Sequence, residues 1–132
     1  MRLFKKNKGL VCYVFCLVII FSLSGCFGSK SLKKTEEEIQ SELLAQFPLG
    51  SKIDEVEKGL RVRGIQPQVS KNAGFLKQQK GDSRVIGSQS IRSHLGDYRS
   101  SIFLVTSVTA FFAFNNQDEL IDIWVWKTTD GP

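Results

Sequence analysis

The sequence predicts an α+β domain in which two N-terminal helices pack on a three-stranded antiparallel β-meander, after a cleaved secretory signal. Three observations support this. An apolar run over residues 10–23 follows a basic start, helical periodicity extends from residue 35 to about residue 64, and the chain after residue 84 is rich in Val, Thr, Ile and Phe. At 132 residues there is room for one small domain.

The positive charge of the chain is concentrated at its start. Against 13 Asp and Glu there are 18 Lys and Arg, which gives a formal net charge of +5. Four of the basic residues, Arg2, Lys5, Lys6 and Lys8, precede residue 26, so the remainder is nearly neutral. Nucleic-acid-binding domains normally cluster Lys and Arg on one face. We therefore expect no nucleic-acid partner.

The apolar run is too short for a permanent membrane span. It has about fourteen residues, whereas a bilayer core of roughly 30 Å needs about twenty residues of helix. The run ends in Leu23-Ser24-Gly25-Cys26, which resembles the lipobox of bacterial lipoproteins. That resemblance implies a signal peptide over residues 1–25, cleavage before Cys26, a lipid thioether on its sulfur and an acyl chain on its new amine. The alternative is an uncleaved anchor helix in which Cys26 is merely a small residue.

A lipidated Cys26 would hold the protein to a membrane without spanning it. One acyl chain binds marginally, but two or three bind stably. Cys12 and Cys16 would leave with the signal, so no cysteine would remain for a disulfide, a metal site or a nucleophile. In lipoproteins of two-membrane bacteria, an Asp directly after the lipidated cysteine favours retention in the inner membrane. This chain has Phe27 at that position, so the resemblance implies an outer-membrane position facing the periplasm.

Residues 26–34 are expected to form the lipidated cysteine and a polar tether, and residues 35–132 the single domain. Thr35 and Glu38 form a predicted capping box for a first helix that ends before Pro48. A second helix is predicted from Ser51, as its N-cap, to near Gly64. Each helix has an apolar stripe to bury: Ile39, Leu43, Leu44 and Phe47 in the first, and Ile53, Val56 and Leu60 in the second.

The second half of the chain predicts strands. Residues 65–83 are expected to form a long connection, with a short extended piece around Phe75 and Leu76. The predicted strands are residues 84–95, with a bend near Gly87, residues 102–114 and residues 120–128. Turns are expected at Gly96-Asp97 and at residues 115–118.

The alternation in the last two strands predicts their pairing. If Phe114 lies opposite Glu119, one face is wholly apolar and forms the core face, with Phe112, Ala110 and Val108 beside Ile121, Ile123 and Val125, respectively. A shift by one residue would bury Asp122, which costs several kcal/mol for an unpaired carboxylate. The outer face of the sheet then carries Phe111, Trp124 and Trp126.

The order of an acylated cysteine, a tether, two helices and a three-stranded meander is similar to the small SmpA/OmlA-type lipoproteins of Gram-negative bacteria. The stretch most like them is Pro48-Leu-Gly-Ser-Lys-Ile-Asp-Glu-Val56, and the strand Leu120-Ile-Asp-Ile-Trp-Val-Trp126 adds to it. The resemblance implies a helix pair on one side of the sheet, a fold shared with β-lactamase inhibitor proteins. The long segment 65–83 and the neutral outer face depart from that pattern.

Residues suited to catalysis or metal binding are sparse. His94 is the only histidine, and no nucleophile or carboxylate is spaced to act with it. Asp118, Glu119 and Asp122 fit a hairpin loop and an exposed ladder position, without the spacing of a calcium loop. We therefore expect no catalytic residue, metal, cofactor or small-molecule substrate.

The outer face of the sheet is the candidate partner-binding site, through Phe111, Trp124 and Trp126, because Trp and Phe are effective interface anchors. The alternative is that segment 65–83, with Phe75 and Leu76, folds across these rings as a second small core. The expected function is a non-enzymatic accessory that binds another envelope protein. The alternatives are an inhibitor or immunity-type protein that blocks an enzyme or toxin, and an envelope hydrolase that uses His94.

Overall fold

The computed structural model describes residues 29–131, an α+β domain. The predicted signal peptide over residues 1–25 and the predicted lipidation site Cys26 lie outside the described residues. The helices are α1 (Ser29–Leu32), α2 (Glu36–Gln46) and α3 (Ile53–Val62). The strands are β1 (Pro67–Ser70), β2 (Phe75–Gln79), β3 (Asp82–Ile86), β4 (Gln89–Arg99), β5 (Val105–Phe114) and β6 (Leu120–Asp130). Within residues 29–131, no helix has the length and apolar character needed to cross a membrane.

The predicted architecture of two helices on a three-stranded meander is wrong. The chain forms a four-stranded antiparallel sheet in the order β1-β4-β5-β6 and a separate two-stranded sheet of β2 and β3. The predicted strand 84–95 is divided between the two sheets at Gly87, which has a φ of +78°. Strand β4 then continues through the predicted turn at Gly96-Asp97 to Arg99, with a bulge between His94 and Gly96.

The predicted connection 65–83 contains most of the additional strands. Strand β1 begins at Pro67 and lies at the edge of the large sheet, where a first-residue proline removes no ladder hydrogen bond. Strands β2 and β3 are joined by Lys80-Gly81, both with positive φ, which is the geometry of a tight two-residue hairpin turn. These strands are short and mostly polar, so their sequences lack the alternation that indicates a strand.

The N-terminal starts of the two longer helices are set by different kinds of contact. At the start of α2, Glu38 N donates to Thr35 Oγ1 over 3.1 Å and Thr35 N donates to Glu38 Oε2 over 2.8 Å, which confirms the predicted capping box. Helix α3 starts after Lys52 instead of Ser51. The Ser51 carbonyl accepts a hydrogen bond from Leu120 N over 2.8 Å, so this segment is held extended by pairing with the start of β6.

One face of the large sheet packs against both helices. Helix α2 lies along β6, and α3 lies near β1. The helices bury Ile39, Leu43, Phe47, Ile53, Val56 and Leu60, and the sheet buries Ile91, Leu95, Val108, Ala110, Phe112, Phe114, Ile123 and Val125 against them. The helical stripes are thus those that the sequence predicts, with Leu44 only partly buried at the margin of the core.

The pairing of β5 with β6 differs from the predicted register by two residues. Phe112 lies opposite Ile123 and Ala110 opposite Val125, because the ladder contains a bulge at Ile121 and the loop closes with Asn115 N donating to Glu119 O over 2.9 Å. Ile121, expected in the core, is exposed. A two-residue shift does not exchange the faces of a strand. The predicted core and outer faces are therefore otherwise unchanged.

Candidate functional site

Four aromatic rings form a cluster on the outer face of the large sheet. Phe111 of β5 lies opposite Trp124 of β6, with ring centroids 5.3 Å apart. Trp126 meets Trp124 edge to face at 4.8 Å. Phe75 of β2 lies 5.5 Å from Phe111 and stacks on Trp124 at 5.9 Å. The three residues predicted as a partner-binding site are therefore together, and a fourth ring from the small sheet joins them.

The β2–β3 hairpin covers part of this cluster. Phe75 is buried, whereas Phe111, Trp124 and Trp126 are half-buried. Lys77 lies two residues after Phe75 in β2 and therefore on the same side of the hairpin. Its Nζ lies 3.4 Å from Asp122 Oδ2, so an ion pair also holds this side of the hairpin to the sheet. Segment 65–83 therefore covers the outer face through Phe75. Leu76, the other residue considered for this role, lies on the opposite side of the hairpin and is exposed.

Beyond the covered rings, an open groove of about 480 Å³ lies between the hairpin and the start of α2. Its floor is the segment of β6 formed by Trp124, Val125 and Trp126. Its walls are polar or charged: Lys77, Gln78, Gln79 and Lys80 from the hairpin, Glu36, Glu37 and Gln40 from α2, and Lys127 from β6. We call this the indole groove. It combines two large aromatic surfaces with hydrogen-bonding groups and charges of both signs.

Helix α2 protects the free edge of β6 along this groove. Gln40 Nε2 donates to Ile123 O over 2.7 Å, and Lys127 N donates to Glu36 Oε1 over 2.9 Å. Strand β6 is the last strand of the sheet, and exposed strand edges can recruit another strand. Because these two side chains occupy edge groups four residues apart, they prevent continuous pairing with a partner strand. Recognition in the groove must therefore depend on side chains.

The wall residues were not among the predicted site residues. Glu36 and Glu37 fit the first turn of a helix, and Lys77 to Lys80 lie in a segment that the sequence predicts as a connection. They approach the indoles only because the hairpin folds across one face of the sheet while α2 packs on the other. The alternation that places Trp124 and Trp126 outward was the one signal for this site.

Of the other residues considered as reactive groups, Asp122 contacts the groove wall, and His94 and Asp118 do not line the groove. His94 Nε2 is 3.2 Å from Asp97 Oδ1 at the bulge of β4, and both side chains are about half exposed. Asp118 accepts a hydrogen bond from Gln89 Nε2, and Asp122 pairs with Lys77. Across the part of the chain that the structure describes, no three His, Cys, Asp or Glu side chains are arranged to hold a metal ion.

The site is thus a partly covered aromatic face that opens into a groove of mixed charge. Comparison of the chain with protein-family models, with curated proteins and with solved structures finds no match in any of the three.

Proposed function

We propose that this protein is a non-enzymatic accessory of the bacterial cell envelope that is anchored by lipid on Cys26 and binds another envelope protein through the indole groove. The observation that carries the proposal is the pair of half-buried indoles, Trp124 and Trp126, on the floor of an open groove. The anchor part of the proposal comes from the lipobox-like Leu23-Ser24-Gly25-Cys26 behind a basic start and an apolar run.

The groove suits a protein partner for two reasons. Indole rings bury a large area at a small cost in rotamer entropy, which makes Trp a frequent centre of protein interfaces. The rim carries both acids, Glu36 and Glu37, and bases, Lys77 and Lys80, so a partner needs charges of both signs to match it. A uniformly charged polymer such as nucleic acid would meet like charges on one wall.

Trp126 is the ring best placed for contact with a partner. Phe75 stacks on the ring of Trp124, whereas the ring of Trp126 contacts Trp124 edge to face. A substitution at Trp126 therefore leaves the contact between hairpin and sheet in place. Trp124 also supports the hairpin, so its replacement would change both the attachment of the hairpin and the surface offered to a partner.

Crosslinking inside the cell tests the proposal. A photoreactive amino acid at Gln78, an exposed residue of the groove wall, should capture one envelope protein, and the same amino acid at exposed Lys58 on α3 should not. Adding Trp126→Ser should lower the yield from position 78 by about tenfold, the effect expected of a central interface residue. The exposed pair Glu37→Lys and Lys80→Glu should lower it as well, without touching buried residues.

The outcomes separate the candidate functions. Unchanged crosslinking in both variants, with unchanged circular dichroism, would refute binding through the groove. Capture of one soluble enzyme or toxin in a tight one-to-one complex would instead indicate an inhibitor or immunity-type protein. A hydrolytic activity abolished by His94→Ala would contradict a non-enzymatic role.

A further inference from the structure

The end of the loop between β4 and β5, together with the first residue of β5, exposes four consecutive apolar side chains, a segment that we call the apolar tip. Their exposed fractions are 80% for Ile102, 72% for Phe103, 38% for Leu104 and 43% for Val105. A run of this kind on a surface is unfavourable in water and normally has a function. It lies outside the indole groove, so the proposed protein contact does not account for it.

Hydrogen bonds hold the tip in a defined shape. Ser100 N donates to Leu104 O over 3.0 Å, and Leu104 N donates back to Ser101 O over 3.4 Å. Leu104 packs against Gly131, directly after β6, since a Cβ added at Gly131 would lie 2.9 Å from Leu104 Cδ2. The two most exposed side chains, Ile102 and Phe103, therefore form the apex of a closed loop.

The N-terminal end of the described chain is attached beside this loop. Lys127 Nζ donates to Leu32 O over 2.8 Å, and Leu32 packs against Gly96 of β4. Gly96 and Lys127 are both paired with Val108, so Leu32 lies level with that residue of β5. The tip begins three residues further along the strand at Val105, which is roughly 10 Å away at about 3.3 Å per residue.

The distance to the anchor is short on the same scale. Residues 29–32 are helical and advance about 1.5 Å each, and the three steps from Cys26 to Ser29 span at most about 3.5 Å each. The covalent length of this segment therefore limits the distance between Cys26 and Leu32 to about 15 Å. Helix α2 runs from Lys127 toward Ile123, away from the tip. The bulk of the domain consequently lies toward the end of the sheet that is opposite to the tip.

We propose that the apolar tip inserts into the bilayer that holds the acyl chains of Cys26. The inference rests on the proposed lipid anchor and adds a second point of attachment, so that the domain stands on the membrane with a fixed orientation. The exposed charges nearest the tip are Arg99 and Asp97 on β4, of opposite sign, and Asp130 on β6, which is paired with Val105. Because these charges include no excess of bases, apolar burial of Ile102 and Phe103 drives the contact rather than attraction to anionic headgroups.

A single-thiol label tests this directly in the full lipidated protein. Because Cys26 would be consumed by lipid, Phe103→Cys introduces one free thiol for an environment-sensitive fluorophore. The protein is reconstituted in vesicles of phosphatidylethanolamine and phosphatidylglycerol in equal amounts. A spin-labelled lipid should quench the label at position 103 at least about threefold more than a label at Leu76→Cys, which is exposed on the hairpin. Iodide in the water should show the reverse order.

Vesicle flotation is measured in the same samples and separates the two proposals. Flotation with equal lipid quenching at positions 103 and 76 would overturn the tip insertion and leave the anchor standing. Shielding of position 103 from iodide without quenching by lipid would place the tip in a protein contact and overturn the inference as well. Absence of flotation would overturn the anchor and, with it, the insertion.

Discussion

Phe75 stacks on Trp124 with ring centroids 5.9 Å apart and ring planes within 14° of parallel. This contact joins the two sheets of the protein, since Phe75 belongs to β2 and Trp124 to β6. An isolated two-stranded hairpin is marginally stable in water. The β2–β3 hairpin therefore depends on this contact, and one wall of the indole groove depends on the hairpin.

Phe75→Ala should release the hairpin while the large sheet stays folded. The loss of a buried ring is expected to lower the free energy of unfolding by about 3 kcal/mol, the low end of the range for Phe→Ala substitutions. Amide exchange should rise over residues 75–86 and stay slow in β5, and tryptophan fluorescence should shift to the red. Leu76→Ala, on the exposed side of the same strand, should change stability by less than about 0.5 kcal/mol. Unchanged exchange in the Phe75 variant would contradict this account.

Gly74→Ala should destabilise the same region through backbone crowding. A Cβ at this position would lie 2.1 Å from Ile86 O and 2.3 Å from Gly87 O, and neither backbone atom can move cheaply. The expected loss in the free energy of unfolding is about 2–3 kcal/mol. Gly81→Ala is the comparison, because it meets no atom within 4 Å but has a φ of +87°; it should cost about 1 kcal/mol. Denaturant titration of both variants measures these losses. A larger loss for Gly81→Ala than for Gly74→Ala would be inconsistent with the close approach at Gly74.

The contact of Glu42 with the N-terminal segment predicts a pH dependence. A hydrogen bond from Lys34 lowers the pKa of Glu42 from its ordinary 4.5 against the opposing effect of burial, and Ser31 Oγ also donates to this carboxylate. The same contact raises the pKa of Lys34 from its ordinary 10.5. The stabilisation from Glu42 is present above its ordinary pKa and is lost as pH falls through the lowered value. That from Lys34 is full below 10.5 and is lost as pH rises through the raised value.

Glu42→Gln should therefore be less stable than wild type at neutral pH and equal to it in strong acid. The difference should be small and should shrink in high salt, because both groups are substantially exposed. Denaturant unfolding of both proteins across a pH series measures it. A difference that persists in acid would show that the carboxylate acts through packing instead of charge.

Cys26→Ala should leave an unprocessed and unlipidated precursor, because the thioether forms only at a thiol. Incorporation of labelled palmitate and the intact mass report the outcome. Cys16→Ala, in the apolar run, is the matched control and should retain the label. Labelling that persists in the Cys26 variant would disprove the lipid anchor.

Much of the local structure was predictable from short-range chemistry. The capping box of Thr35 and Glu38 and the buried stripes of both longer helices depend on residues three or four positions apart, and the structure contains them. Ser51 was predicted as a cap by the same logic and is not one, since its carbonyl pairs with Leu120 N. A partner sixty-nine residues away outweighs a local preference that is worth only about 1 kcal/mol.

The site was half predictable for a similar reason. Period-two alternation alone places Phe111, Trp124 and Trp126 on one face of their strands, and an error of two residues in register preserves that result. The groove additionally needs the hairpin on one side and α2 on the other. Nothing local in residues 77–80 indicates that they lie beside the indoles, because β2, which contains residues 77–79, has neither apolar alternation nor β-branched residues.

The amino-acid sequence alone determined where α2 starts, which residues line the two longer helices and, apart from Ile121, which side chains of β5 and β6 face the core, because these properties follow from backbone period and nearest neighbours. The tertiary structure decided the number of sheets, the pairing of β6 and the covering of Trp124 by Phe75. These depend on contacts between segments far apart in the chain, whose free energies exist only once the segments have been brought together.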